Sequence, residues 1–234
     1  EIGFCLVGSE MCIRDSRVRM AKDGMLYFSV GERGRMKEAQ DPQNHLGTVI
    51  RLQENGKVPQ DNPFLKNKKG RAEIFSYGHR NPQGMALHPK TGKIWVHEHG
   101  PQGGDEINIL KAGANYGWPK TTFGEQYGGG KIGIGPKSPG IEEPLLHWTP
   151  SIAPSGMDFY QGDIFPNWNG DLLVGSLKFR MLVRVDLEGS LVQGQEVVFQ
   201  DRIGRIRDVR VSPEGKVYLL NDEYRGGIFR LDPL

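Results

Sequence analysis

The sequence predicts an all-β chain folded as a β-propeller, and three observations predict it. Glycine and proline punctuate it heavily, with 33 glycines and 15 prolines in 234 residues, where glycine averages about 7%. Such spacing disfavours long helices and favours short strands joined by tight turns. A glycine turn followed by an alternating apolar run recurs four times, at Gly24, Gly92, Gly170 and Gly215, which is the pattern of hairpin strands. The copies are 68, 78 and 45 residues apart, so the loops between them vary while the unit persists, as in propeller blades around a channel. A β-sandwich fits the strand count but does not explain why the long polar loops follow equivalent turns.

Residues 1–16 (EIGFCLVGSEMCIRDS) lack alternation and are read as a non-native or disordered leader joined to the chain near Arg17; an ordinary frayed N-terminus is the other reading. They lack the basic start and sustained apolar run of a signal peptide. The cysteines, Cys5 and Cys12, both lie there, in no zinc spacing and too few for a disulfide framework. Residues 17–234 form one domain. In order, Lys22-Asp23-Gly24 leads into a strand from Met25 to Val30, Lys90-Thr91-Gly92 into Lys93 to Val96, Asn169-Gly170 into Asp171 to Gly175, and Pro213-Glu214-Gly215 into Lys216 to Leu220. The last two continue into further strands at residues 181–187 and 226–231. Residues 124–140, rich in glycine, read as one long loop.

Lysine and arginine total 30 and aspartate and glutamate 28, so no global field draws the chain to nucleic acid or an anionic membrane. No apolar run approaches the ~20 residues of a membrane span, and a soluble protein is expected.

The polar residues concentrate in residues 78–119, where two dense clusters flank one strand. Arg80, Lys178, Arg205 and Arg207 read as cations with no local acidic partner. If their loops converge they suit a ligand with several carboxylates or phosphates, because arginine offers a fixed pair of donors. Surface pairing of Arg205 and Arg207 with Asp201 and Asp208 is the competing reading. Glu98, Asp105 and Glu106 surround a glycine-dense backbone whose carbonyls suit a hard cation such as calcium; solvated turn acids are the alternative, and Tyr116 and Trp118 read equally as core aromatics. The six histidines form no H-E-x-x-H site, and His97 with His99 do not complete a zinc shell. No nucleophile elbow, phosphate loop or dinucleotide fingerprint is present.

Together these residues resemble the soluble aldose sugar dehydrogenases that use pyrroloquinoline quinone (PQQ), in the glucose/sorbosone dehydrogenase family. The resemblance rests on G-H-R-N-P-Q-G at residues 78–84, E-H-G-P at 98–101, G-G-D-E-I-N at 103–108, N-Y-G-W-P at 115–119 and R-I-R-D-V-R at 205–210. It implies a six-bladed propeller, of which this chain, truncated at its N-terminus, would hold about four blades. It implies PQQ over the channel, bound by Arg80, Asn81, Tyr127, Lys178, Arg205 and Arg207, with Leu177, Phe179 and Ile206 in the same runs. One calcium would lie at the carbonyls of Gly100 and Pro101, and another at Glu106 and the Tyr116 backbone.

The implied reaction oxidises the C1 hydroxyl of an aldose to a lactone, with an external electron acceptor and a histidine base. In the family that histidine lies in an H-F-G-x-R run, four residues before the arginine matching Arg17. Here Ile13 holds the place, and neither His79 nor His99 stands in a matching context, so no catalytic residue is assigned. The resemblance further implies a periplasmic or secreted monomer or homodimer. A calcium-dependent propeller lactonase and a non-catalytic propeller binding a sugar or a protein compete with this reading.

Overall fold

The computed structural model describes residues 17–233; the leader, both cysteines and Ile13 lie outside the described residues. The described residues are all-β, with two short 3-10 turns among them. Four antiparallel sheets follow one another, each a meander of consecutive strands. The first holds β1 (Val18–Met20), β2 (Met25–Val30), β3 (Thr48–Gln53) and β4 (Ile74–Tyr77). The second holds β5 (Pro82–Leu87), β6 (Ile94–Glu98), β7 (Asp105–Ile109) and β8 (Leu146–Trp148). The third holds β9 (Pro154–Phe159), β10 (Leu172–Ser176), β11 (Met181–Glu188) and β12 (Leu191–Gln200). The last holds β13 (Ile206–Val211), β14 (Val217–Asn221) and β15 (Ile228–Leu231).

The four glycine turns occupy one structural position: each joins the first strand of its sheet to the second. Gly24, Gly92, Gly170 and Gly215 all adopt left-handed backbone, with φ of 76°, 68°, 96° and 77°, where a side chain is strained. Antiparallel strands alternate direction. With every first-to-second hairpin at one edge, the loops between second and third strands, and those between sheets, fall at the opposite edge.

Consecutive sheets pack face to face. Leu172 and Val174 of β10 join Trp95, Ile107 and Phe159 in the core between the second and third sheets. Leu173, between them, points the other way and packs with Ile206 and Val209 of the last sheet. Period-two alternation explains both destinations, and a strand buried on both faces reads as a continuous apolar run rather than an alternating one. Tyr27, Val49, Met85 and Val96 fill the layer between the first two sheets. Each such buried side chain contributes roughly 1.5–3 kcal/mol of transfer free energy.

First strands β5 and β13 both pack on β9, and β1 packs on β5. Their polar side chains meet: Arg19 of β1 donates to the Met85 carbonyl at 2.9 Å and pairs with Asp158 of β9 at 3.4 Å. Gly156 of β9 has no room for a Cβ, which would collide with Asp208 and the backbone of β13. The sheets thus radiate from a common line of first strands, as in a propeller.

Candidate active site

A cleft of about 850 Å³ opens at the edge opposite the glycine turns. It is lined by loops of all four sheets: Glu32 from the first, Arg80 and residues 99–103 from and around the second, Thr149 to Ser151, Ala153 and Lys178 around the third, and Arg205 with Glu223 from the last.

Arg80 sits where β4 leads into β5. Its backbone N–H donates to Glu98 Oε2 at 2.5 Å, and its guanidinium donates to the carbonyls of His99 and Gly100 at 3.0 and 2.9 Å. The Trp118 ring lies 5.2 Å below it. Asn81 is buried, and its carbonyl accepts from the His99 N–H at 3.0 Å. The second-sheet and third-sheet loops are joined by His99, whose Nε2 lies 2.6 Å from the Pro154 carbonyl. A carbonyl only accepts, so Nε2 carries the proton of the neutral ring. Burial, the largest cause, pushes the His99 pKa down.

Lys178 is exposed at the cleft and forms no ion pair among the described residues. Leu177 is buried beside it and also lines the cleft. Tyr127, half exposed, and Phe123 give the cleft an aromatic wall, with Phe123 stacked on His147 at 3.9 Å.

The structure places several of these residues differently from their sequence reading. Arg205 and Arg207 do have an acidic partner, but it is Asp222, at 3.3 and 2.8 Å. The acids close to them in sequence are engaged elsewhere: Asp201 with Arg180, and Asp208 with Arg17 and Arg210. Arg205 lines the cleft, whereas Arg207, paired more deeply, is not among the lining residues. Ile206 is fully buried in the core beside Leu173, because it alternates with the two arginines and faces the sheet interior. Phe179 likewise packs against the core rather than the cleft, with Lys178 Nζ 5.2 Å from its ring.

A second, smaller void of about 10 Å³ lies beneath Arg80, between Glu98, Gly100, Glu106, Tyr116 and Thr122. It has room for about one water-sized body. Burial first, and then the Glu98 charge, push the Glu106 pKa up to about 8. Asn108 bridges the two carboxylates, donating at 3.4 and 3.3 Å, and its own Oδ1 is buried without a partner. One buried and one part-buried carboxylate beside a small void suit a hard cation. The Tyr116 side chain is engaged elsewhere: its ring stacks on His79 at 4.5 Å and its hydroxyl donates to the Ile109 carbonyl at 2.7 Å.

Sequence reasoning missed Glu32, a buried carboxylate in the cleft whose Oε2 lacks a hydrogen-bond partner. Burial raises its pKa and the Arg80 charge opposes the rise. Its signal was positional: Gly31-Glu32 follows β2 as His99-Gly100, also in the cleft, follows β6.

A family model described as glucose/sorbosone dehydrogenase matches residues 12–230. The chain belongs to that family. It is 44% identical to the aldose sugar dehydrogenase YliI of Escherichia coli, aligning 90% of this chain with 57% of that protein. It is 28% identical to quinoprotein glucose dehydrogenase B of Acinetobacter calcoaceticus, aligning 89% with 59%. A glucose dehydrogenase crystal structure superposes with a TM-score of 0.91 at 44% identity, covering 93% of this chain and 64% of that one. The PQQ-bound aldose sugar dehydrogenase of Streptomyces coelicolor gives 0.74 at 28% identity, covering 92% and 60%. The chain therefore spans less than two thirds of the length of these relatives, and as a family member it is a propeller-like sugar dehydrogenase homologue.

Proposed function

We propose that this chain is part of a PQQ- and calcium-dependent enzyme that oxidises the C1 hydroxyl of aldoses to the lactone. The observation that carries the reading is convergence: Arg80, Lys178 and Arg205, from three sheets, line one cleft with Tyr127. The cleft volume lies within the roughly 300–1,000 Å³ usual for small-ligand sites. The guanidinium groups of Arg80 and Arg205 line the cleft, and arginine offers a fixed pair of donors that suits a polycarboxylate. The names of the Acinetobacter relative and the Streptomyces structure point to the same cofactor.

When bound, PQQ would supply a two-electron acceptor and calcium a Lewis acid. The protein's part is to bind and orient. Arg80, Lys178 and Arg205 receive carboxylates, Asn81 supplies an amide at the same wall, and Leu177 and Tyr127 pack beside the ring. Arg207 acts one step back by sharing Asp222 with Arg205. Carbonyls of Gly100 and Pro101 hold one cation, and Glu106 with the Tyr116 backbone holds another. We further infer that the four sheets are four of six blades, that the protein is periplasmic or secreted, and that Ile13 leaves this chain without the family's histidine base. A calcium-dependent lactonase would need several carboxylates on one metal. Among the described residues no group of three or more His, Cys, Asp or Glu is so placed.

Titration of the purified chain with PQQ and calcium tests the reading. A shifted quinone spectrum, with little dye reduction by glucose, is expected. Absence of quinone binding would overturn the cofactor assignment, and rapid turnover would overturn the inference that a base is lacking.

A further inference from the structure

Asp105, the first residue of β7, is fully buried. Its Oδ1 accepts from the Gly100 N–H at 2.9 Å, on the loop of its own sheet. Its Oδ2 accepts from Ser151 Oγ at 2.8 Å and from the Ile152 and Ala153 N–H groups at 2.8 and 3.0 Å, on the connection into the third sheet. Ser151 Oγ also reaches Oδ1 at 3.0 Å. Ala153 takes a left-handed backbone, φ 51°, which needs outside support in a non-glycine residue.

The same segment passes the restraint onward. The Ile152 carbonyl accepts from Ser176 Oγ at 2.5 Å and from the Lys178 N–H at 3.3 Å, and the Ala153 carbonyl accepts from the Leu177 N–H at 3.0 Å. One carboxylate therefore reaches, directly or through one peptide, three of the loops that line the cleft. Charge-assisted bonds of this kind are the strong ones.

We propose that Asp105 is a positioning residue that fixes the Gly100 carbonyl and the Lys178 backbone relative to each other, and so sets the spacing between the cation and carboxylate contacts of the bound cofactor. What those contacts hold rests on the function proposed above; the tie itself does not. Asp105→Asn isolates it. An amide of the same volume satisfies either the Gly100 side or the Ser151–Ala153 side and presents N–H groups to the other, so the tie between loops breaks while the packing stays. Ser151→Ala removes one donor without touching Asp105.

Two measurements test this. In the cofactor-free protein, hydrogen exchange at Gly100, Ile152–Ala153 and Leu177–Lys178 is expected to speed up by about tenfold or more in Asp105→Asn, the scale of losing one bond to a charged group. Amides of β2 and β14 should keep their wild-type rates. PQQ affinity should fall about 10–100-fold, as for other residues that orient direct ligands. In a double-mutant cycle with Lys178→Ala the two losses should be sub-additive. Ser151→Ala should show the same pattern more weakly, and it carries the test if Asp105→Asn does not fold. Wild-type exchange in the loops of both folded variants, or losses that simply add in the cycle, would overturn the proposal. Failure of the wild-type chain to bind PQQ would instead sink the cofactor reading and leave the exchange measurement to decide the tie.

Discussion

Replacing Arg205 with alanine separates a cofactor contact from a fold contact. In the fold, Arg205 pairs with Asp222 at 3.3 Å, both side chains being about one third exposed, at 38% and 34%. Such a pair contributes about 0–1 kcal/mol. Removing Arg205 does not strand Asp222, because Arg207 stays 2.8 Å from it. The backbone N–H of residue 205 keeps its bond to Glu223 Oε1 at 2.9 Å, since that bond does not involve the side chain. The expected Tm change is therefore small, at most about 4 °C for a chain this size. The cofactor side differs. A hydrogen bond to a charged group contributes about 1.5–3 kcal/mol, so Arg205→Ala should weaken PQQ binding by roughly 10–150-fold. Equilibrium titration of tryptophan fluorescence reads the affinity, and a thermal melt of the same sample reads the fold. Arg205→Lys should fall between, keeping charge but losing the planar fork. Unchanged PQQ affinity in a folded Arg205→Ala protein would refute convergence of the cations on the cofactor. A large loss of Tm would show that the Asp222 pair had been undervalued.

Other outcomes follow from the same geometry. Calcium should raise the Tm of the wild-type chain, by an amount equivalent to about 2.7 kcal/mol at a hundredfold excess over Kd, and raise that of Glu106→Gln markedly less; equal shifts would remove Glu106 from the cation site. Gly156→Ala should lower the urea midpoint by the equivalent of about 1–3 kcal/mol, because its Cβ meets the β13 backbone; an unchanged midpoint would mean that β9 and β13 are not in close contact. Burial raises the Asp158 pKa, against its bonds from Val211 and Arg19. The folded state then holds that proton to higher pH than the unfolded chain, so its contribution is fully present below the unfolded carboxylate range and is lost as pH rises through the folded value. Asp158→Asn should remove that decline from the stability–pH curve, and an identical curve would argue against a buried, proton-retaining Asp158.

The parts of this molecule legible in the sequence were those encoded locally. A glycine at positive φ followed by an alternating run needs nothing beyond a few residues, and all four such runs proved to be the second strand of a sheet. That regularity located the cleft, since the opposite edge is fixed once the hairpins share one edge. Charge pairing was less legible because it is not local. Asp201 and Asp208 are near Arg205 and Arg207 in sequence, yet Asp222, across β14, holds both arginines. Ile206 shows a readable signal overruled by a motif. Its place between two arginines on a strand already implied the opposite face, and it is buried there.

The acidic stretch at residues 98–106 shows why residue type alone left the choice between cation ligand and solvated turn open. Three carboxylates there meet three different fates. Glu98 is spent on His79 at 2.9 Å and on the Arg80 backbone. Asp105 is saturated by donors from two loops. Glu106 borders the small void with Asn108 as its one side-chain donor among the described residues, and burial raises its pKa to about 8. A cation gains most where a carboxylate is desolvated and underbonded, which favours Glu106 over Asp105 as the proposed ligand, although they are adjacent in sequence. On a strand adjacent residues point to opposite faces, and here that places a fully bonded acid and an underbonded one back to back. The distinction lies in which neighbouring loop arrives to supply donors, and the third sheet supplies them to Asp105 through residues 151–153.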